Sequence, residues 1–149
     1  MLVRRYSTLF TMLMSIFLPM TLSAMDIRVT DAYVRETIPG ASNSVAYLKI
    51  DNETKRQVIL VSVRSNDVPK VKIHTHVHHN GVMAMRPVKE VVIPAQSSFM
   101  FKPGGHHFML MGLQKPLTSG EAVQFQLQFK DGTEVDVTAP VQSIAAEFE

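Results

Sequence analysis

The sequence predicts an all-β fold, an antiparallel sandwich or barrel built as a single domain. Three observations predict it. Apolar and polar residues alternate with a period of two along most of the chain, as in AVQFQLQF (122–129), which is the pattern of a half-buried strand. Turn residues separate the alternating segments at intervals of about 8–12 residues, which is typical of sandwiches and barrels. After the first 24 residues, no window of twelve or more keeps a helical period.

The first 24 residues form a segment of a different kind. Arg4 and Arg5 precede an uncharged apolar run, and the small residue Ala24 follows it. This order is that of a secretory signal peptide. The apolar run is shorter than the roughly 20 residues that span a bilayer, so we expect cleavage rather than an uncleaved membrane anchor. We therefore divide the chain into a signal peptide (1–24) and one exported domain (25–149), without a cysteine that could carry a lipid.

Removal of this leader changes the charge of the protein. The chain has 15 Lys and Arg against 13 Asp and Glu, and Arg4 and Arg5 leave with the leader. The remaining 13 basic and 13 acidic residues balance, so the basic character of the whole chain does not indicate nucleic-acid binding. About 125 residues are enough to build a core without disulfides, which this chain lacks.

Nine segments carry the strand pattern. They are 27–34, 44–50, 57–63, 71–77, 82–88, 97–103, 107–112, 122–129 and 133–141. Asn80-Gly81 separates the fourth from the fifth and Asp131-Gly132 the eighth from the ninth, and both pairs are hairpin signals. Pro103-Gly104-Gly105 precedes the seventh segment and predicts an exposed turn.

Histidine and methionine are confined to one part of the predicted domain. All six histidines lie between positions 74 and 107: His74, His76, His78, His79, His106 and His107. The methionines beyond the leader and its edge are Met83, Met85, Met100, Met109 and Met111. Residues two apart in a strand share a face, so His74 and His76 point the same way, as do Met83 and Met85, and as do His107 and Met109. Three segments can therefore bring imidazoles and thioethers together.

This donor set suits copper. Soft sulfur ligands select Cu(I), and imidazole binds copper as well as zinc. Mg²⁺, Ca²⁺ and Mn²⁺ prefer carboxylate oxygens, which segments 71–77, 82–88 and 107–112 lack. Structural zinc sites normally use thiolates. Blue-copper electron transfer also needs a thiolate, so the absence of cysteine excludes it.

The spacing of these residues resembles that of the PCu(A)C family of periplasmic copper chaperones. The family signature is His, ten residues, Met, twenty-one residues, His, one residue, Met, and this chain has His74, Met85, His107 and Met109 in that register. GVMAMRPV and KPGGHHFMLMGLQKPL are also similar to the family's surrounding sequence. The resemblance extends more loosely from about Val29 to Val141.

The resemblance implies a cupredoxin-like β-barrel that binds one Cu(I) through those four side chains. It also implies delivery of copper in the periplasm to a recipient protein, a cytochrome oxidase subunit or its assembly factors, chiefly for the dinuclear copper centre. The family often has methionine next to, or two after, the first histidine, where this chain has Ile73 and His76. His76 and Met83 are therefore additional candidate ligands.

Other interpretations stand beside this one. The extra histidines favour copper storage or detoxification, or a Cu(II) or Zn(II) buffer that uses His74, His76, His78 and His79. Met100 and Met111 are expected to fill the core, as isolated methionines usually do, and His106 is expected at the surface. Phosphate-binding loops, nucleophile elbows and metalloprotease motifs are absent from the sequence, so we do not expect an enzyme.

Overall fold

The all-β prediction is confirmed. The structure, a computed structural model, describes residues 26–147, and the predicted signal peptide lies outside them. The described residues form ten strands: β1 (Ile27–Arg35), β2 (Asn43–Asn52), β3 (Val58–Arg64), β4 (Lys70–His79), β5 (Val82–Pro87), β6 (Val91–Ile93), β7 (Ser97–Phe101), β8 (His107–Met111), β9 (Ala122–Phe129) and β10 (Glu134–Gln142). A 3-10 turn at Ile144–Glu147 follows, and no helix within the described range is long and apolar enough to cross a bilayer.

Each of the nine predicted segments forms a strand, and one strand was not predicted. The additional strand, β6, has only three residues and stops immediately before Pro94. Three residues are too few to display an alternating pattern. β6 forms because it pairs with β3, from Val58 opposite Ile93 to Leu60 opposite Val91.

The strands form two sheets. One has the order β5-β4-β8-β2-β1, with β7 beside the second half of β2, and the other has the order β10-β9-β3-β6. They meet where Val34 and Arg35 of β1 pair with Val141 and Gln142 of β10. The end strands β5 and β6 leave the sheet order open, so the fold is the sandwich rather than a closed barrel.

The β1–β10 contact is parallel, whereas the other strand pairs among residues 26–147 are antiparallel as predicted. Hairpins force antiparallel pairing because they join neighbouring strands by short turns. β1 and β10 lie at opposite ends of the chain, so no turn fixes their relative direction. The expectation of a purely antiparallel sheet is corrected at this one pair.

The core between the sheets fixes the position of β8. Phe108 of β8 is fully buried, with its ring centre 4.8 Å from that of Phe101 and 6.0 Å from that of Phe125 in the opposite sheet. Adjacent residues of a strand face opposite ways. Because Phe108 points into the core, His107 and Met109 point to the other face of their sheet.

The β4–β5 hairpin closes as Asn80-Gly81 predicts. His79 pairs with Val82, which leaves a two-residue turn, and Asn80 and Gly81 have positive φ angles of 50° and 76°. Positive φ at both central residues matches the right-handed twist of the two strands. This turn sets the register of β4 against β5.

One buried amide stabilises the loops at the far end of β2. The Asn52 side chain is 1% exposed, and its Nδ2 lies 2.9, 3.1 and 2.8 Å from the carbonyl oxygens of Arg56, Ile93 and Pro94. Its Oδ1 accepts a hydrogen bond of 3.0 Å from the Thr54 backbone N–H. Asn52 thus joins the loop after β2 to the end of β6.

Candidate metal centre

The candidate ligands lie on one face of three adjacent strands. β4 is between β5 and β8, with His74 directly opposite His107 and His76 directly opposite Met85. Residues that pair across strands share a face, as do residues two apart within a strand. Met109 therefore lies on this face as well, opposite Lys72 and two residues after His107. The interior face of the same strands carries Ile73 and Phe108.

The turn that precedes β8 positions the His107 side chain. It follows the turn that contains Gly104, whose φ is 77°, and its side chain is only 1% exposed. Its Nδ1 lies 3.1 Å from the carbonyl oxygen of Gly105. A carbonyl can only accept, so Nδ1 carries the hydrogen and Nε2 of the neutral ring has the free lone pair. That Nε2 is buried and has no hydrogen-bond partner.

Two imidazoles next to His107 also contain a buried nitrogen that makes no hydrogen bond. The Nδ1 atoms of His74 and His76 are buried without a hydrogen-bond partner. The ring centre of His107 lies 6.1 Å from that of His74 and 5.0 Å from that of His76. With nitrogen–metal bonds of about 2 Å, two ring centres around one ion lie about 5 Å apart in tetrahedral coordination and about 6.3 Å apart in linear coordination. The separation of His107 and His74 therefore requires a wide nitrogen–metal–nitrogen angle, whereas that of His107 and His76 matches the tetrahedral value. Partnerless buried polar atoms cost stability, so their concentration here indicates a binding function.

Two thioethers, those of Met85 and Met109, share this face with the histidines. Within residues 26–147, no three His, Asp or Glu side chains are arranged to hold a metal ion together. Met109 is half-buried between Val45 of β2 and Lys72 of β4. Met85 is 53% exposed, beside His76 on the end strand.

The environment keeps the two paired imidazoles neutral. Burial lowers the pKa of His74 below that of an ordinary imidazole. Burial also lowers the pKa of His107, and the neighbouring imidazoles lower it further. The hydrogen bond to Gly105 acts in the opposite direction on the pKa of His107 but is the smaller effect. A neutral imidazole presents its lone pair to a metal ion without competition from a proton.

The structure corrects the expectations for three residues. Met100 does not fill the core: it is 53% exposed, opposite Lys49. Met111 does not turn inward either, since it is half-buried on the same face as Met109, opposite Lys70. His106 is half-buried rather than superficial, because its ring packs edge-on against Phe99 with centres 5.1 Å apart.

The remaining candidates lie toward the hairpin turn. Met83 is 59% exposed and directly opposite His78, which is also exposed. His79 pairs with Val82 next to the turn. His78 and Met83 extend the histidine and methionine face away from His107.

One neighbour of the site was not predicted. Tyr47 of β2 is buried, with its ring centre 6.5 Å from that of His107 and 5.3 Å from that of Tyr33. The Arg35 guanidinium lies 5.5 Å from the centre of the Tyr47 ring. Tyr47 packs beside His107 and helps to exclude water from it. The strand pattern around Tyr47 places it on a face but carries no sign of this contact, which depends on β2 lying next to β8.

Sequence comparison identifies relatives along most of the chain. Residues 27–141 match the profile of the LpqE-like family. "Putative lipoprotein Lxx21020" of Leifsonia xyli subsp. xyli is 32% identical over 120 residues, covering 80% of this chain and 71% of that protein. "Uncharacterized protein RP573" of Rickettsia prowazekii is 30% identical over 101 residues, covering 67% of this chain and 56% of that protein.

Structure comparison identifies the fold. The copper-bound PCuAC domain from PmoF2 is 24% identical with a TM-score of 0.65, covering 79% of this chain and 93% of that domain. The Cu(I) form of DR1885 from Deinococcus radiodurans is 31% identical with a TM-score of 0.61, covering 74% of each chain. The cupredoxin-like fold expected from the sequence is therefore confirmed.

Proposed function

The chain belongs to the LpqE-like family, and from this membership and the geometry of the histidine and methionine face we propose that it is a copper chaperone that binds one Cu(I) ion. The proposed ligands are His74, Met85, His107 and Met109. The observation that carries the proposal is the buried Nε2 of His107, which has no partner and lies in a ring 6.1 Å from that of His74. The Cu(I)-bound structure of DR1885 supports copper as the metal.

The ligands have different roles in this proposal. His107 and His74 supply imidazole nitrogen, and their lowered pKa values keep them neutral near pH 7. Met85 and Met109 supply thioether sulfur, which selects Cu(I) over harder ions. All four ligands are neutral, so they do not compensate the charge of the ion, and copper can leave by ligand exchange.

The difference in exposure suggests the order of that exchange. His107 is 1% exposed and Met109 is half-buried, whereas Met85 is 53% exposed on the end strand. A ligand of a recipient protein can reach copper from the Met85 side and replace that thioether first. The nitrogens of the buried histidines then hold the ion until the recipient supplies further ligands.

The proposed recipient is a cytochrome oxidase subunit or one of its assembly factors, reached in the periplasm after removal of the signal peptide. We infer this from the resemblance to periplasmic copper chaperones. The direct test mixes the copper-loaded protein with a soluble oxidase copper domain and measures the copper bound to each after separation. Transfer supports delivery, and retention of copper by the chain would contradict it.

Storage or buffering of Cu(II) or Zn(II) is a second candidate, favoured by the partnerless nitrogen of His76 and by the exposed His78. Metal titration distinguishes the two functions. A chaperone site binds one Cu(I) tightly, and its affinity falls in Met85→Leu and Met109→Leu but not in Met100→Leu. Several Cu(II) or Zn(II) ions per chain, with no effect of the first two substitutions, would establish the buffer instead.

A further inference from the structure

The face that carries the proposed copper site continues along the β4–β5 hairpin. His76 is directly opposite Met85, and His78 is directly opposite Met83, in consecutive same-face pairs toward the turn. Each pair sets one imidazole beside one thioether across two strands. Pairs on one face follow each other at about 7 Å, twice the rise of a strand residue. The hairpin thus presents two similar pairs of copper ligands in a row that ends at His107.

Burial decreases steadily along this row. His107 is 1% exposed, His76 is half-buried, and Met85 and Met83 are 53% and 59% exposed. The pair nearest to solvent is His78 with Met83, where both side chains are exposed. A copper donor can reach that pair without any movement of the sheet.

Packing does not explain why methionine stands at position 83. Every residue of β5 is exposed, so Met83 gains little from burial. Methionine in a protein interior usually fills irregular gaps, and there is no interior at this strand. Metal binding accounts for a thioether placed beside an imidazole on an exposed strand.

Charge favours the hairpin as the side from which copper arrives. At the opposite end of the face, Met109 pairs with Lys72 and Met111 pairs with Lys70. These ammonium groups repel a copper cation. The two hairpin pairs contain no lysine or arginine, and the nearby Arg86 pairs with Thr75 on the other face.

We propose that His78 and Met83 form a separate, weaker Cu(I) site that captures the ion and passes it through His76 and Met85 to the buried histidines. This inference rests on the proposed copper-binding function. The first step exchanges His78 and Met83 for His76 and Met85. The second step keeps Met85 and exchanges His76 for His74, His107 and Met109. Copper stays monovalent throughout, so no electron is transferred.

The test compares the rate of copper uptake with the affinity at equilibrium. The purified protein is mixed with a coloured Cu(I)–chelator complex in a stopped-flow instrument, and loss of the colour is followed. In the double variant His78→Ala, Met83→Leu, we expect uptake to slow by about tenfold, because the local concentration of captured copper is lost. Affinity at equilibrium should stay within about threefold of wild type, a change of less than 1 kcal/mol. Met100, which is similarly exposed and lies opposite Lys49, provides the matched control: Met100→Leu should leave both values unchanged.

A second measurement observes the capture site directly. With methionine methyl groups labelled for NMR, the first equivalent of Cu(I) should shift the signals of Met85 and Met109. A second equivalent should shift Met83 and leave Met100 in place. If Met109 shifts while Met83 does not, and uptake by the double variant is as fast as in wild type, the capture site is wrong and the main site stands. If Met109 and Met85 show no shift in wild type, the proposed function itself fails.

Discussion

Replacement of His107 by leucine separates the two reasons for which a protein buries a histidine, metal binding and core stability. The side chain is 1% exposed, its Nε2 has no partner, and its Nδ1 donates to Gly105 O over 3.1 Å. If the residue served stability, one of its nitrogens would not be left without a hydrogen bond. Leucine has a similar volume, so it removes both nitrogens without opening a large cavity.

The expected change in stability follows from these two nitrogens. A buried polar atom without a partner costs about 1–3 kcal/mol, and a hydrogen bond contributes about 0.5–1.5 kcal/mol. For copper-free His107→Leu we therefore expect anything from a loss of about 0.5 kcal/mol to a gain of about 2.5 kcal/mol in the free energy of unfolding. The neighbouring substitution Phe108→Ala, which empties a fully buried site, should cost about 3–5 kcal/mol.

Urea unfolding with and without Cu(I) measures both roles. Free Cu(I) at a thousand times its dissociation constant, held by a chelator buffer, should stabilise the wild type by about 4.1 kcal/mol. The same buffer should have almost no effect on His107→Leu. A loss of more than about 2 kcal/mol in the copper-free variant, with the stabilisation by copper retained, would refute a ligand role for His107 and show that it is structural.

Three further predictions use the same purified protein. Met85→Leu and Met109→Leu should each weaken Cu(I) binding by at least about 10–100-fold in a chelator competition, and unchanged affinity in both would remove sulfur from the ligand set. Asn52→Ala should lower the free energy of unfolding by about 2–4 kcal/mol, because buried backbone groups lose their hydrogen-bond partner. A loss below about 0.5 kcal/mol would show that water replaces the Asn52 side chain in these hydrogen bonds. Burial lowers the pKa of His74 and His107 in the folded protein. In the unfolded chain the imidazole pKa is about 6.5, so below that pH the unfolded chain binds more protons than the folded one. The copper-free protein should therefore lose stability as the pH falls below about 6.5, before the carboxylates titrate, and an equal slope in His107→Leu would contradict this assignment.

Local sequence was sufficient for nine of the ten described strands and for the faces within them. The side chain period of a strand is two, so the spacing of His74 and His76, or of His107 and Met109, fixes a shared face wherever the strand lies. Asn80 and Gly81 fixed the hairpin for an equally local reason, since few residues accept positive φ angles. These features of the candidate site were therefore predictable.

The arrangement of the strands and the burial of each side chain were decided by the tertiary structure. Nothing local to β4 or β8 shows that they pair, yet this pairing sets His74 opposite His107 and leaves Met111 opposite Lys70. Met85 and Met100 are equally exposed, but only Met85 faces a histidine. Contacts between distant segments depend on how the whole chain packs its core, whereas alternation depends only on backbone geometry. The sequence thus determined which side chains could act together, and only folding determined which of them meet and which remain in contact with water.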